Sequence, residues 1–328
     1  MTNIIKSRAV VFGVALLIAL APLSTNSASR SLPQTVSTQS ADSRRHSEQS
    51  IRTEGNTWTW RHVDDDARLE VSIRGHVEFA EDYSDITSIS EGGSIRVTDE
   101  KGGVTRKFEA RSTSSGIQRT YWLNGASRQF DQEAKAWLAK TLDDTVRQGG
   151  YDVRPRVRRI LRESGPSAVL QEISRLKGDY VKRIYFDELV MNGNLDDQTI
   201  RQVLRQAATE IHSDYEKAQL LVRMSEDYLT NDSQRAIYLE GVNTIHSDYE
   251  KGRALGALLK KGNFGRENML LAVKSASNIN SDYEKAQFLI RVAAAGSSDE
   301  SVRMALIDAA RTIHSEYERG RVLSAVFK

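Results

Sequence analysis

Three histidines recur at one position of a repeated hexapeptide, and their side chains could ligate a metal ion or act as a base. His212, His246 and His314 each precede a serine, and Asn280 takes this position in another copy. Packed helices lie about 8–10 Å apart, whereas the ligands of one zinc ion lie about 2 Å from it. Residues one repeat apart cannot easily share a metal. We therefore predict a polar residue that bridges two helices rather than a metal site.

Two further residue types recur at the same spacing and could line a binding surface. The tyrosines are Tyr180, Tyr215, Tyr249, Tyr283 and Tyr317. The basic residues are Lys182, Lys217, Lys251, Lys285 and Arg319. The first set could form a ligand groove, and the second set could bind an anionic polymer. Core packing is the favoured interpretation of the tyrosines, because they fall on an apolar stripe. Carboxylates near each basic residue favour a solvated face of ion pairs.

Other motifs do not combine into a reaction centre. Ser174 and Lys177 match the Ser-x-x-Lys pattern of acyl-enzymes, but its companion motifs are missing. Acidic residues at positions 64–66, 81, 82 and 85 fit no defined calcium loop and are interpreted as turn residues. The chain also lacks Gly-x-Ser-x-Gly, a phosphate loop and a dinucleotide-binding fingerprint. We therefore predict no catalytic, cofactor-binding or metal-ligating residue and no cofactor.

The repeated hexapeptide itself is a helix start. Its four copies contain Ser213, Ser247, Ser281 and Ser315, which are 34 residues apart, and a worn copy contains Gly178. A glutamate follows each serine by three residues, which predicts a capping box in which the serine and the glutamate cap each other's backbone N–H. A fixed period of this length is typical of stacked helical hairpins.

Each period contains two predicted helices. The first carries a stripe at three-residue spacing, such as Tyr215, Ala218, Leu221 and Met224. Its second position is always Ala or Gly, which predicts the close approach of another helix backbone. The second helix begins at equivalent points, Asn231, Gly265 and Asp299. Short joins make neighbouring helices antiparallel, and we predict an α-solenoid over residues 131–328.

Residues 56–130 follow a different pattern, with alternation of period two. Leu69, Val71, Ile73, Val77 and Phe79 all fall on odd positions, which predicts a strand with one buried face. The Asn-Gly pair at 124–125 is a strong type I′ hairpin signal. The prediction for this segment is a small antiparallel β-meander against a helix that begins near residue 131. The fold class is therefore α+β.

The start of the chain has the composition of an export signal. Residues 1–28 contain two basic residues, then a 13-residue apolar run from Ala9 to Ala21, then small residues. That run is shorter than the roughly 20 residues that cross a bilayer. We expect an exported protein, periplasmic or extracellular in a bacterium, and a membrane anchor if the signal stays uncleaved. Residues 29–55, which are rich in Ser, Thr, Gln and Arg, are predicted to be a disordered linker.

Composition excludes several classes of protein. The 328 residues carry a formal net charge of +2, which argues against a dedicated nucleic-acid binder. The chain has no cysteine, which excludes disulfides, thiolate metal sites and a lipoprotein anchor.

A family resemblance follows from the order of several segments. A Trp-rich opening leads to Arg-Leu-Glu-Val at 68–71, Tyr-Trp-Leu-Asn-Gly at 121–125, Asp-Tyr-Val-Lys-Arg at 179–183 and then the Ser-Asp-Tyr-Glu repeats. This order resembles a group of uncharacterised bacterial exported proteins. It is also similar to the extracytoplasmic region of membrane metallopeptidases of the β-lactam-sensor type. Those peptidases carry His-Glu-x-x-His, which is absent here, and the resemblance implies a sensory or interaction module rather than proteolysis.

The expected function is therefore non-enzymatic binding of a protein or peptide partner by a helical-repeat surface in the cell envelope. Two alternatives stay open, a hydrolase with its site in the crevice between sheet and solenoid, and a purely structural envelope protein. The last repeat stops after its first helix with Leu323, Val326 and Phe327. We expect this end to pair with a second copy or with the β-meander, because solenoids usually end in a polar unit.

Overall fold

A computed structural model describes residues 38–39, 48–260, 262 and 265–328 of the chain. The predicted signal peptide lies outside the described residues. An antiparallel sheet is followed by eleven described helices, which confirms the predicted α+β class with a meander and a helical-repeat region. Within the described ranges, we find no helix that is long and apolar enough to cross a membrane.

The main sheet is an antiparallel meander of seven strands, with the two-residue strand β1 paired at one edge. In chain order its strands are β1 (Thr38–Gln39), β2 (Glu48–Glu54), β3 (Thr57–Val63), β4 (Ala67–Arg74), β7 (Ser94–Lys101), β8 (Val104–Thr113), β9 (Gly116–Leu123) and β10 (Ala126–Arg128). Strands β5 (Val77–Phe79) and β6 (Ile86–Ile89) form a separate two-stranded sheet. The predicted Asn-Gly hairpin is confirmed, because Asn124 and Gly125 both have positive φ between β9 and β10.

Two details of the β-region correct the sequence-based predictions. The predicted linker is wrong from residue 48, because β2 pairs with β3 along its whole length, from Glu48 opposite Val63 to Glu54 opposite Thr57. Backbone hydrogen bonds hold β2 in the sheet, and Ile51 is its only buried residue. The amino-acid composition of this segment therefore does not indicate a strand. The odd-numbered apolar run also divides at Gly75, whose φ of 76° is left-handed, into β4 and β5.

Helix α1 (Gln132–Arg147) covers the sheet, which confirms the helix that the sequence predicts against the meander. Its buried residues Leu138, Leu142 and Val146 share one core with Trp60 and Phe108 of the sheet. Asp131 caps the helix by accepting a hydrogen bond from the Ala134 N–H at 3.0 Å. The sheet and α1 therefore bury their apolar faces against each other.

The remaining helices form a two-layered solenoid with its own continuous core. They are α2 (Val153–Ile173), α3 (Asp179–Asn192), α4 (Asp197–Glu210), α5 (Asp214–Asp227), α6 (Asp232–Asn243), α7 (Asp248–Leu259), α8 (Arg266–Ser277), α9 (Asp282–Gly296), α10 (Glu300–Arg311) and α11 (Glu316–Val326). Helix α2 is kinked at Gly165, whose backbone angles are not helical. Odd-numbered helices from α3 to α11 pack in sequence as one layer, and α4, α6, α8 and α10 pack as the other.

Each odd-numbered helix from α5 onwards is capped partly by its own serine and partly by the preceding repeat. The serine Oγ accepts from the glutamate N–H at 3.3–3.4 Å, as predicted. The predicted return contact is wrong. The serine N–H donates instead, at 2.6–2.8 Å, to the aspartate one repeat earlier. These inter-repeat acceptors, here called the aspartate ladder, are Asp179, Asp214, Asp248 and Asp282.

The small residues of the first-helix stripe have two different environments. Ala218 and Ala286 are fully buried, in keeping with a close approach. A Cβ on Gly252 would meet only the Glu284 side chain, at 3.1 Å, and a Cβ on Gly320 would meet nothing within 4 Å. Close approach of a helix backbone therefore does not explain these glycines.

Ala218→Leu is expected to lower the melting temperature, because a fully buried position has no room for three more carbon atoms. Overpacking of this kind costs about 1–3 kcal/mol of unfolding free energy. Gly320→Leu at the equivalent point of the last repeat is the matched control, because that position is open. Thermal denaturation followed by circular dichroism compares both variants with the wild type. A melting temperature of Ala218→Leu equal to that of the wild type would contradict the packing role of Ala218.

Candidate functional site: a tyrosine row and the adjoining crevice

Four tyrosines form an exposed row along the odd-numbered layer, which corrects the prediction that they pack in the core. Tyr215, Tyr249, Tyr283 and Tyr317 are 50–73% exposed, and each is the second residue of its helix. A residue advances about 100° around an α-helix, and a three-residue step therefore falls short of a full turn by about 60°. After three such steps the direction has reversed, and Met224 points into the core. These four residues are the tyrosine row.

Polar side chains tie the start of the row together across repeats. The Gln219 side-chain amide donates to the Tyr215 hydroxyl at 2.7 Å. Arg253 of the next odd-numbered helix donates to the side-chain oxygen Oε1 of Gln219 at 3.1 Å. The Arg253 guanidinium also lies 6.0 Å from the centre of the Tyr215 ring. Arg321 takes the corresponding position beside its own ring, Tyr317, at 5.9 Å. The first ring is therefore joined to the next repeat by polar contacts, and an arginine of its own helix lies beside the last ring.

Tyr180, the worn copy of the same position, lies at the junction of sheet and solenoid. It packs against both apolar cores, and Arg183 lies 5.3 Å from the centre of its ring. At this junction a crevice of about 600 Å³ opens between the sheet and α3. Residues from both parts line it, including Trp58, His76, Asp152, Asp187, Met191 and Arg223. The tyrosine row and this crevice thus share helix α5, which carries both Tyr215 and Arg223.

Acidic groups in and beside the crevice have shifted pKa values. Burial raises the pKa of Asp152 and of Asp187 above the ordinary range. Burial also raises the pKa of Tyr151 to about 12. One Asp187 oxygen accepts from Arg183, which also pairs with Glu216. Within the described part of the chain, the other Asp187 oxygen is buried without a hydrogen-bond partner. Ionisable residues with perturbed pKa values in this crevice favour the hydrolase alternative.

The repeated basic residues correct another prediction, because three of them are buried rather than part of a solvated face. Lys217, Lys251 and Lys285 are 4–6% exposed. The Lys217 ammonium donates to Thr244 Oγ1 at 2.8 Å, and Lys285 donates to Thr312 Oγ1 at 3.0 Å. Burial lowers the pKa of Lys217, although Asp214 opposes this. Lys217 and Lys285 thus contact the residues that end α6 and α10 in the other layer, and the burial of all three lysines keeps them from an anionic polymer.

The three histidines lie on the surface between the two layers. The imidazole Nδ1 atoms of His212, His246 and His314 each lie 3.7 Å from a carboxylate of the aspartate ladder. Among residues 38–39, 48–260, 262 and 265–328, no group of three or more potential ligands could hold a metal ion. The imidazoles are therefore not gathered at one point.

The remaining sequence motifs are structural. Ser174 donates to Glu210 at 2.7 Å and accepts from Gln206 at 2.9 Å, and it ends α2 rather than facing a lysine. Asp82 and Asp85 accept from nearby backbone N–H groups in a loop, which confirms their interpretation as turn residues. Sequence reasoning missed the crevice residue Asp152, whose φ of 59° gives no clear signal in the sequence.

The aspartate ladder makes the last helix sensitive to acid. Hydrogen bonds from the Ser315 N–H and then the His314 N–H hold the pKa of Asp282 below its ordinary value of 3.8. A carboxyl whose pKa is lower in the folded state than in the unfolded state stabilises the fold at pH values above its unfolded pKa. This stabilisation is lost as the pH falls through the folded pKa. We expect carbon NMR of Asp282 to titrate below pH 3.8 and the Ser315 amide shift to follow it. A midpoint at or above that value would contradict this link.

Helix α11 packs on α9 and α10, and Val322 and Val326 are buried in the solenoid core. Phe327 is exposed beyond them. The pairing of this end with a second copy stays a prediction that mass measurement in solution can test.

No protein-family model, no curated protein and no solved structure matches this chain.

Proposed function

We propose that the protein is an exported interaction module of the bacterial cell envelope that binds a protein or peptide partner with its tyrosine row. The exposure of four aromatic rings, one per repeat on one layer, is the observation that supports this proposal. Aromatic side chains dominate the energetics of binding surfaces because they bury a large area at a small entropic cost. Solenoid surfaces of this kind suit extended partners.

Affinity capture from cell-envelope extracts tests this proposal with the full chain as bait. A double variant, Tyr249→Ala with Tyr283→Ala, removes the two central rings, which are exposed and whose loss leaves the core intact. Leu271→Ala with Met304→Ala is the matched control, because these residues are exposed on the other layer. We expect a partner that the wild type and the control retain and that the tyrosine variant loses. Retention by all three would remove the tyrosine row from the proposal.

A second candidate function, hydrolysis in the crevice, is favoured by the raised pKa of Asp152 and Asp187. A carboxyl that keeps its proton nearer to neutral pH can act as a general acid. This candidate predicts turnover of chromogenic peptide or ester substrates by the wild type and its loss in Asp152→Asn. Absence of turnover by the folded wild type would contradict it. Capture of no partner together with no turnover would instead support the structural alternative.

A further inference from the structure

We infer that the tyrosine row takes a proline-rich peptide in the polyproline II conformation, lying across the odd-numbered helices with one turn per tyrosine. This inference rests on the proposed function and names the class of partner. Three properties of the row support it, namely its spacing, its hydrogen-bonding groups and its charge.

The spacing of the row matches one turn of a polyproline II helix. Successive tyrosines occupy the same position on neighbouring packed helices, and packed helices lie about 8–10 Å apart. A polyproline II helix has three residues per turn and rises about 3.1 Å per residue, or about 9.3 Å per turn. Every third residue of such a peptide therefore meets an equivalent ring.

Other extended or helical peptides do not match this spacing. A β-strand presents equivalent side chains about every 6.7 Å, because its side-chain period is two residues of about 3.3 Å each. An α-helix repeats about every 5.4 Å along its axis. Neither period fits the separation of neighbouring helices, and only the polyproline II period keeps all the rings in register with one ligand.

The polar groups beside the rings are hydrogen-bond donors, which is what a proline-rich ligand needs. Gln219, Arg253, Gln287 and Arg321 lie four residues after the successive tyrosines. Proline has no backbone N–H, and a polyproline II helix makes no internal hydrogen bonds, which leaves its carbonyl groups free to accept. A guanidinium has five N–H donors, and tyrosine adds a hydroxyl. Donors on the protein thus face acceptors on the ligand.

The charge of the row also favours an uncharged ligand. Glu250 accepts from Arg253 at 2.5 Å, and Glu318 accepts from Arg321 at 2.7 Å. Each guanidinium is therefore neutralised by a carboxylate of its own helix while it keeps other N–H groups for a ligand. These carboxylates would repel an acidic peptide, whereas the carbonyl groups of a neutral chain can accept from the N–H groups that the arginines keep free.

Binding of synthetic oligoproline to the full-length protein tests the inference, with fluorescence of a labelled peptide as the readout. Four rings span three intervals, which about ten residues of polyproline II cover. We expect a peptide of about twelve prolines to bind at least about tenfold more tightly than one of six, because it reaches every ring. A Gly-Ser peptide of equal length is the control and should not bind. Equal affinity for both proline lengths would overturn the one-turn-per-tyrosine register.

Variants of the central rings identify the contact. Tyr249→Ala with Tyr283→Ala should weaken oligoproline binding at least about tenfold. Leu271→Ala with Met304→Ala should leave it unchanged, and the two tyrosine-to-phenylalanine changes should retain most of it because the ring face remains. The rings are exposed, and circular dichroism checks that each variant is folded. Equal binding by the wild type and the alanine variant would overturn the inference.

The outcome also separates this inference from the proposed function. Suppose the alanine variant loses a captured envelope partner while oligoproline does not bind the wild type. The tyrosine row is then an interaction surface, and the assignment of its ligand is wrong. Binding of a soluble β-linked oligosaccharide, with the same dependence on the tyrosines and none for oligoproline, would assign the row to a polysaccharide and would likewise overturn the inference.

Discussion

Arg183→Met is expected to lower the free energy of unfolding at pH 7 by about 3–5 kcal/mol, the usual cost of leaving buried charges without their partner. Arg183 is mostly buried and joins two carboxylates, Asp187 on its own helix and Glu216 of the next repeat. Glu216 is almost fully buried. Methionine fills a similar volume without supplying any hydrogen bond, and both carboxylates then lack the group that compensates their burial.

The loss should shrink as the pH falls, and the sign follows from proton linkage. Burial raises the pKa of Asp187 and of Glu216 even with Arg183 present, and removal of the cation raises both values further. At pH values below the raised pKa values of the folded variant and above the pKa values of its unfolded state, the folded state binds more protons than the unfolded state. Stability of the variant therefore rises as pH falls through that window.

Urea unfolding at several pH values measures this prediction. Arg311→Met is the matched control, since Arg311 pairs with Asp308 at 2.8 Å on an exposed face, and it should change stability by less than about 0.5 kcal/mol. If Arg183→Met costs no more than this control, the buried cluster does not hold the first two repeats together. A loss that grows towards acid pH would contradict the linkage argument.

Asp248→Ala is expected to cost about 2–3 kcal/mol, because it removes one member of the aspartate ladder and with it two charge-assisted hydrogen bonds. Asp248 accepts from the Asn280 N–H at 3.0 Å and from the Ser281 N–H at 2.8 Å. These N–H groups belong to the two residues that precede α9, and without Asp248 only the Ser281 side chain still caps this helix end. Amide hydrogen exchange at residues 280 and 281 should quicken together with the fall in stability.

Two substitutions set the scale for this effect. Asp248→Asn keeps a side-chain oxygen that can accept one N–H, and about half of the stability loss should return. Asp308→Ala removes an exposed carboxylate that is paired with Arg311 on its own helix, and should have little effect. Equal stability of Asp248→Ala and Asp308→Ala would show that the ladder does not link the repeats.

Local signals in the sequence predict much of the fold. The period of 34 residues, the serine caps and the second-helix starts at Asn231, Gly265 and Asp299 all have their expected places. The helix starts depend on residues within about one helical turn, which a single repeat already contains. Strand β2 is not predicted by the same reasoning, because a strand of mostly polar residues is held by its neighbour's backbone.

The candidate site was harder to predict because it depends on direction and on contacts between repeats. The exposure of the tyrosines follows from the rotation of a helix over nine residues, which a three-residue pattern conceals. The capping role of Asp248 and the burial of Lys217 need the neighbouring repeat, 30 or so residues away. The crevice needs the packing of the sheet on α3, which no local pattern specifies.

Photo-crosslinking in living cells tests the tyrosine row most directly, because the crosslinker captures whichever molecule contacts it. A benzophenone amino acid replaces Tyr249 in one strain and Leu271, exposed on the other layer, in a second strain. The proposed function predicts an ultraviolet-dependent adduct of defined mass from position 249 and none from position 271. Adducts from position 271 alone, or from neither position while the protein is folded and exported, would contradict a binding role for the tyrosine row.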